Sequence, residues 1–221
     1  IRRDLFRRGR SLSTPLDHRA RLEGLTFGGL GRPFEEKPID LAAMQVTLDP
    51  AFHVPLVEAL TSSDLDIDGV LAIHPSWSFG DAATAIPLLV AGGYAAPLAP
   101  TKFRDDARGP CQRLNDVLLA EQRRGRYVGG RLSPSTGAMI AIDEVELLAL
   151  DALQSGEPDD ASLIVEQVTS TLEATGRVVR DNGELVTDTD AAQAVIRDRV
   201  TALLARRSTL ARLGVDQHSA G

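Results

Sequence analysis

The hydrophobic and polar pattern begins with an extended segment. Apolar residues lead to a glycine cluster at positions 28–31, and residues 44–48 alternate with period two, as in a half-buried strand. A loop that contains Pro33 and Pro38 separates the two runs. Residues 22–48 are therefore predicted to form a small hairpin or sheet edge.

Three helices are predicted next along the chain. The first begins at Asp49, which precedes a proline that suits the first helical position. A short second helix follows, and the third begins at Ser78, since Ser78 and Asp81 have the spacing of a capping box. Pro87 lies inside this helix and predicts a kink or a split. With an extended run at residues 94–98, the pattern is typical of a small winged-helix-like unit.

A linker is predicted at residues 99–109, which are polar and contain proline. Gly109-Pro110 then opens a helix that ends in arginines before Gly125. Cys111 lies on the apolar side of this helix, so we expect it to be a small core residue. Residues 127–131 contain a Gly-Gly pair and are expected to form a turn.

The remainder of the chain repeats the order of helices followed by a hairpin. A short strand at residues 138–142 precedes a helix that Asp143 can cap, and a second helical region begins at residues 158–160. Two β-prone runs flank residues 181–183, whose Asn-Gly pair is a strong hairpin signal. A last helix starts near Asp188. These elements predict a second winged-helix-like unit.

The predicted fold class is α+β and mostly helical. It comprises two winged-helix-like units with short β-hairpins and an N-terminal extended segment. The predicted boundaries give a linker helix and extended or hairpin segment at residues 1–48, a middle winged-helix-like domain at 49–108 and a C-terminal winged-helix-like domain at 109–221.

Composition narrows the classes of function. The 221 residues carry 24 Lys and Arg against 31 Asp and Glu, a net charge of −7, and only 4% are aromatic. This balance argues against a nucleic-acid binder, which is usually basic or rich in stacking aromatics. No stretch approaches the roughly 18 apolar residues of a membrane span. A single cysteine excludes an internal disulfide and a cysteine-based zinc site.

The chain opens at Ile1 with a basic segment, residues 2–10, and no initiator methionine. We expect a solvated helix end of a longer protein. A membrane-surface or nucleic-acid arm is the alternative for such a charge run. Because no apolar region follows the basic residues, a secretory signal is not expected, and the predicted location is the cytoplasm.

No catalytic, cofactor-binding or metal-binding residue is predicted. Residues 64–69 imitate the opening of a calcium loop, but Pro75 stands where a bidentate Glu is required, so a helix-capping acidic turn is expected. His74, near Trp77, is expected to pack at a loop. The chain contains no G-x-S-x-G elbow, P-loop or G-x-G-x-x-G turn. We therefore expect no cofactor on this chain.

In the order of its parts, the chain resembles the regulatory region C-terminal to the catalytic domain of bacterial S-adenosylmethionine-dependent methyltransferases, including enzymes that act on protein lysine. Residues 2–8 look like the family's arginine-rich exit from the catalytic domain, and an extended stretch follows at 22–33. The two units correspond to residues 48–100 and 137–213, with a leucine-rich helix at 143–153. Pro87 departs from the family's pattern.

The resemblance implies a non-catalytic region that controls substrate access or dimerisation. Its expected partners are its own methyltransferase domain, a protein substrate or a second copy, with no nucleic acid and no membrane. S-adenosylmethionine is expected in the upstream domain. Two alternatives stay open: a winged-helix DNA-binding regulator, although residues 161–175 contain no Lys or Arg, and an enzyme of another type.

Overall fold

Eight helices and four antiparallel strand pairs make up the described part of the chain. The computed structural model describes residues 15–41, 44–156, 160–181 and 183–216. The helices are α1 (Pro15–Glu23), α2 (Pro50–Ser62), α3 (Ile67–Ile73), α4 (Phe79–Ala91), α5 (Thr101–Arg123), α6 (Glu144–Gln154), α7 (Ala161–Ala174) and α8 (Thr189–Arg212). The strands are β1 (Thr26–Gly29), β2 (Ile39–Leu41), β3 (Met44–Val46), β4 (Ala95–Leu98), β5 (Gly130–Ser133), β6 (Ala138–Ala141), β7 (Arg180–Asp181) and β8 (Glu184–Leu185).

This architecture confirms the predicted α+β, mostly helical class. The element order is compatible with two winged-helix-like units, and that finer description stays a prediction. The basic opening, residues 158–159 at the predicted helix start and Asn182 of the predicted hairpin lie outside the described residues. No helix within the described residues is both long enough and apolar enough to cross a membrane.

Side-chain caps begin the helices where the sequence predicts them. The Asp49 carboxylate accepts a hydrogen bond from the Ala51 amide at 2.9 Å at the start of α2. A reciprocal capping box joins Ser78 and Asp81 at the start of α4. Asp143 caps α6 in the same way, and Asp188 caps α8. Each carboxylate or hydroxyl satisfies a backbone donor that the first helical turn leaves free.

The linker predicted at residues 99–109 is wrong, because residues 101–109 form the first part of α5. Arg104 anchors this half, since its guanidinium donates to the Ala99 carbonyl and pairs with Asp64 at 3.3 Å. Pro110 lies inside the same continuous helix. The polar composition of the segment thus reflects an exposed helix rather than a missing one.

Three smaller predictions also change. α4 continues as one helix through Pro87, so the helix is not split there. The glycines at 28 and 29 belong to β1 as its last two residues. The turn predicted at residues 127–131 gives way to β5, which begins at Gly130 and pairs with β6. Gly130 has a φ of 158°, and a Cβ there would lie 2.0 Å from the Ile140 carbonyl oxygen, so a close strand pairing requires glycine.

The strand pairs combine local and distant partners. β2 and β3 form a hairpin near the N-terminus, but β2 begins within the residues predicted to be a loop, so this is not a pairing of the two predicted runs. β7 and β8 form the hairpin predicted around residues 181–183. β1 instead pairs with β4, with Thr26 opposite Leu98 and Gly29 opposite Ala95. This pairing closes the first unit by joining its two ends.

Two hydrophobic cores result. The first contains buried residues from β1 to the start of β4, including Phe27, Leu56, Ile86 and Leu89. The second is built mainly from α6, α7 and α8 and includes the completely buried Val200. The boundaries at 48/49 and 108/109 stay a prediction. The structure adds that Phe27 shares a core with α2 and α4, and that residue 108 lies within α5.

Candidate functional site

A cleft of about 440 Å³ lies between the two cores. The loop after β1 and the end of α4 form one wall, which includes Arg32 and Tyr94. The start of α6, the residues before β5 and one face of α8 form the other wall, which includes Tyr127 and Arg206. Clefts at the junction of two units are common places for ligand or protein recognition, so we treat this cleft as the candidate site.

Glycine at position 31 brings the two walls together. Gly31 has a φ of 70°, and a Cβ there would lie only 2.7 Å from Cβ of Arg206. The neighbouring Leu30 amide donates to the Tyr94 carbonyl at 2.9 Å, which holds the chain after β1 beside the end of α4. The turn therefore directs the following residue, Arg32, to the cleft.

Tyr94 fixes the outer loop of the first wall. Its hydroxyl donates to the Glu35 carbonyl at 3.1 Å and accepts from the Glu35 amide at 3.2 Å. Its ring stacks on Phe34 with a centroid distance of 5.6 Å. The loop is thus held by two hydrogen bonds and an aromatic contact, which define the shape of this side of the cleft.

A buried ion pair forms the floor of the cleft. Arg206 of α8 donates to Glu146 of α6 at 2.6 Å, and both side chains are at least 90% buried. Glu146 also accepts from the Asp143 amide at 3.2 Å as part of the α6 capping box. Burial raises the pKa of Glu146, while the charge of Arg206 acts in the opposite direction.

A second arginine joins three elements at the cleft's edge. Arg199 of α8 lies 3.1 Å from Asp143 at the start of α6 and 3.0 Å from Asp181 in β7. The arginine therefore ties the hairpin to the helix pair. Its single positive charge is held between these two carboxylates and serves the architecture of the wall.

Two side chains at the cleft remain available for recognition. Arg32 is exposed and makes no ion pair or side-chain hydrogen bond within the part of the chain that the structure describes. The ring of Tyr127 is exposed by 72%. Arginine and tyrosine are the side chains that protein interfaces use most often as anchors. The cleft can therefore bind an acidic group or a backbone carbonyl through Arg32 and an apolar or aromatic group through Tyr127.

The acidic turn at residues 64–69 caps a helix, as predicted. The Asp66 carboxylate accepts from the Gly69 amide at 2.8 Å at the start of α3. Asp64 pairs with Arg104 at 3.3 Å and with Arg212 at 3.5 Å. Within the described residues, no group of three His, Cys, Asp or Glu side chains is placed to hold a metal ion.

His74 packs at a loop, as predicted. Its Nε2 lies 2.8 Å from the Phe52 carbonyl, and its ring stacks on Trp77 with a centroid distance of 4.3 Å. This cluster joins the end of α3 to α2. The prediction for Cys111 as a core residue is wrong, because the thiol is only partly buried on α5. Gln122 is the buried residue of that helix.

Sequence reasoning missed the residues that build the cleft. Glu146 stands three residues after Asp143, the spacing of a capping box, so this part of the site had a readable signal. Arg206 lies 60 residues from its partner Glu146, and nothing local marks it. Arg131 is also buried, where its Nη1 donates to the Asn115 carbonyl at 2.8 Å and burial lowers its pKa.

No protein-family model, curated protein or solved structure matches this chain. Its function is therefore argued from the geometry of the cleft and from the resemblance in the order of its parts.

Proposed function

We propose that this chain is a non-catalytic regulatory region of a cytoplasmic S-adenosylmethionine-dependent methyltransferase, and that a protein docks at its inter-core cleft. The docking protein is the catalytic domain of the same enzyme or the protein that it methylates. One observation carries the docking role: the cleft between the two joined cores is lined by Arg32, which has no ion-pair partner among the described residues, and by the exposed Tyr127. The methyltransferase assignment rests on the resemblance.

The firm junction of the cores supports docking. Arg212, at the end of α8, donates to the Leu60 carbonyl at the end of α2 at 2.8 Å. Thr209 donates to the Thr61 carbonyl at 3.4 Å, and Asp64 pairs with Arg212. The two walls of the cleft are thus fixed before a partner arrives. A fixed surface loses less conformational entropy on binding than a mobile one, which favours affinity.

Charge also supports a surface that selects its partner. The buried pair of Arg206 and Glu146 neutralises itself, whereas Arg199 with its two carboxylates leaves one negative charge at the edge of the cleft. Arg32 is an exposed cation of the cleft lining with no ion-pair partner among the described residues, so a partner can meet its positive charge directly. Such a charge favours an acidic group on the docking protein and disfavours a basic one.

The first test compares the parent methyltransferase with a truncation that lacks residues 1–221. We expect S-adenosylmethionine binding to stay intact and turnover on the macromolecular substrate to change, because the region carries substrate contacts and not the cofactor. Calorimetric titration measures the first property and a methyl-transfer assay the second. Unchanged methylation of the native substrate would contradict the regulatory role.

Point variants test the cleft itself. We expect the double substitution Arg32→Ala and Tyr127→Ala in the parent enzyme to raise KM for the macromolecular substrate about tenfold, the effect of removing an interface anchor. Arg197→Ala is the matched control, since Arg197 is exposed on α8 and away from the cleft lining. Equal kinetic effects of the two changes would contradict docking at the cleft.

A further inference from the structure

Helix α5 presents a row of apolar side chains to solvent. Phe103, Leu114 and Val117 are exposed by 60%, 48% and 57%. Together with Ala107 and Pro110 they recur at alternating spacings of four and three residues, which places all five on one narrow face of the helix. We call this row the α5 stripe.

Another face of α5 fastens the helix to the protein. Asn115 donates from its side-chain amide to the Leu132 carbonyl at 2.9 Å and accepts from the Leu132 amide at 2.7 Å. Arg104 is held by Ala99 and Asp64. These anchoring residues lie about 100° or more around the helix axis from the stripe's centre. The stripe therefore points away from the contacts that hold the helix.

The charges beside the stripe are self-complementary. Asp106 lies in the first half of α5 and Arg113 in the second, on the same side of the stripe. Neither side chain forms an ion pair with any described residue. An acidic residue beside the first half of the stripe and a basic residue beside the second half match a second α5 that runs in the opposite direction.

One antiparallel register both buries the apolar stripe and pairs the charges beside it. When Phe103 faces Leu114 of a second copy, Ala107 of each helix faces Pro110 of the other near a two-fold axis. The same register brings Asp106 to within about 3 Å, along the helix axis, of the level of Arg113 of the second copy, and symmetry repeats the pair. A two-fold interface requires such a self-complementary patch, since each surface must fit its own copy.

We propose that a second copy of this chain docks antiparallel on the α5 stripe, with Phe103 against Leu114 and Asp106 paired with Arg113. The self-complementary charges identify the partner as a second copy of the chain, because a generic apolar face would lack them. The interface holds whether or not a methyltransferase domain docks at the inter-core cleft, because the two surfaces share no lining residue.

Sedimentation of the 221-residue chain over a concentration series tests the proposal. We expect a monomer–dimer equilibrium, and Leu114→Glu should raise its dissociation constant at least about tenfold by placing a charge in the interface. Leu163→Glu is the matched control, because Leu163 is an exposed leucine on α7, exposed by 43%. A chain that sediments only as a monomer, or a dimer that both substitutions weaken equally, would overturn the proposal.

A charge exchange tests the register. Asp106→Arg or Arg113→Asp alone should weaken the dimer because each places like charges opposite one another. The double substitution Asp106→Arg and Arg113→Asp should restore association. A double variant no better than the single ones would overturn the antiparallel pairing. Circular dichroism of every variant distinguishes lost association from lost folding. Asp106, Arg113 and Leu114 are all exposed, so their substitution should leave the fold intact.

Discussion

At the residue scale, Arg206 shows how a polar side chain can belong to a protein interior. It is 5% exposed and lies at the floor of the inter-core cleft, where Glu146 balances its charge. Its Nε has no hydrogen-bond partner among the described residues. Transfer of both charges from water is costly, so removal of only one partner leaves the other in an unfavourable environment.

We therefore expect Arg206→Met to lower the free energy of unfolding by about 3–5 kcal/mol at neutral pH. Methionine keeps much of the apolar stem of arginine but leaves the Glu146 carboxylate buried and unpaired. Urea unfolding of the variant and the wild type measures the difference. Arg197→Met, at an exposed position on the same helix, is the control and should change stability little. A loss below about 1 kcal/mol would contradict the view that the buried Glu146 charge depends on Arg206.

The same substitution has a predictable pH dependence. Burial already raises the pKa of Glu146 in the fold, so the folded state holds this proton to higher pH than the unfolded state does. The stability that this tighter proton binding contributes is fully present below the unfolded pKa of Glu146, about 4.3. It is lost as pH rises through the folded pKa of Glu146. Without Arg206 the folded pKa rises further. Arg206→Met should therefore lose more stability than wild type between acid and neutral pH, and parallel pH profiles would contradict this account.

At the element scale, close packing decides what glycine does in β1. A pair of glycines usually weakens a strand, yet positions 28 and 29 form the second half of β1. A Cβ on Gly29 would lie 2.6 Å from the Leu60 carbonyl oxygen. The strand can approach the end of α2 only because position 29 has no side chain.

We expect Gly29→Ala to destabilise the protein by about 1–3 kcal/mol, since the backbone of β1 or α2 must shift to admit a methyl group. Gly80→Ala is the matched control. Gly80 lies in the first turn of α4, and its added Cβ would have only the Ser78 hydroxyl nearby, at 3.5 Å. That control should be neutral or slightly stabilising because alanine favours helix. Thermal unfolding of both variants measures the contrast, and equal effects would contradict the steric argument.

Helix α5 shows that tertiary contacts also decide the structure of a polar segment. Its first half looks like a linker because the residues are charged and a Gly-Pro pair follows. The helix forms nevertheless, since Arg104 and Asn115 anchor it along one side to both cores. Its apolar stripe is left on the surface, so periodicity finds the apolar face without revealing whether the chain itself covers it.

At the scale of the whole molecule, charge argues against nucleic acid as the partner. The net charge is −7, and α7, the helix that a winged-helix reading would place in the major groove, contains no lysine or arginine. We expect no specific duplex binding at physiological salt. Mobility shifts against random and genomic fragments are the measurement. A salt-resistant, sequence-selective shift would favour the DNA-binding alternative over the docking role.

The sequence by itself determined the elements whose signals are local. The helix caps at Asp49, Ser78 and Asp143 and the β7–β8 hairpin join residues that are only a few positions apart. Short segments of the sequence therefore suffice to predict them. The acidic turn at residues 64–69 was predictable for the same reason. The order of these elements also sufficed for the fold class.

Only the tertiary structure decided the inter-core cleft. The pairing of β1 with β4 joins residues about 70 positions apart, and the Arg206–Glu146 pair spans 60. Contacts at such separations depend on the balance of many burial and loop-closure terms, which no local pattern records. The same balance left the stripe of α5 in solvent, while Leu118 on another face of that helix packs against the second core.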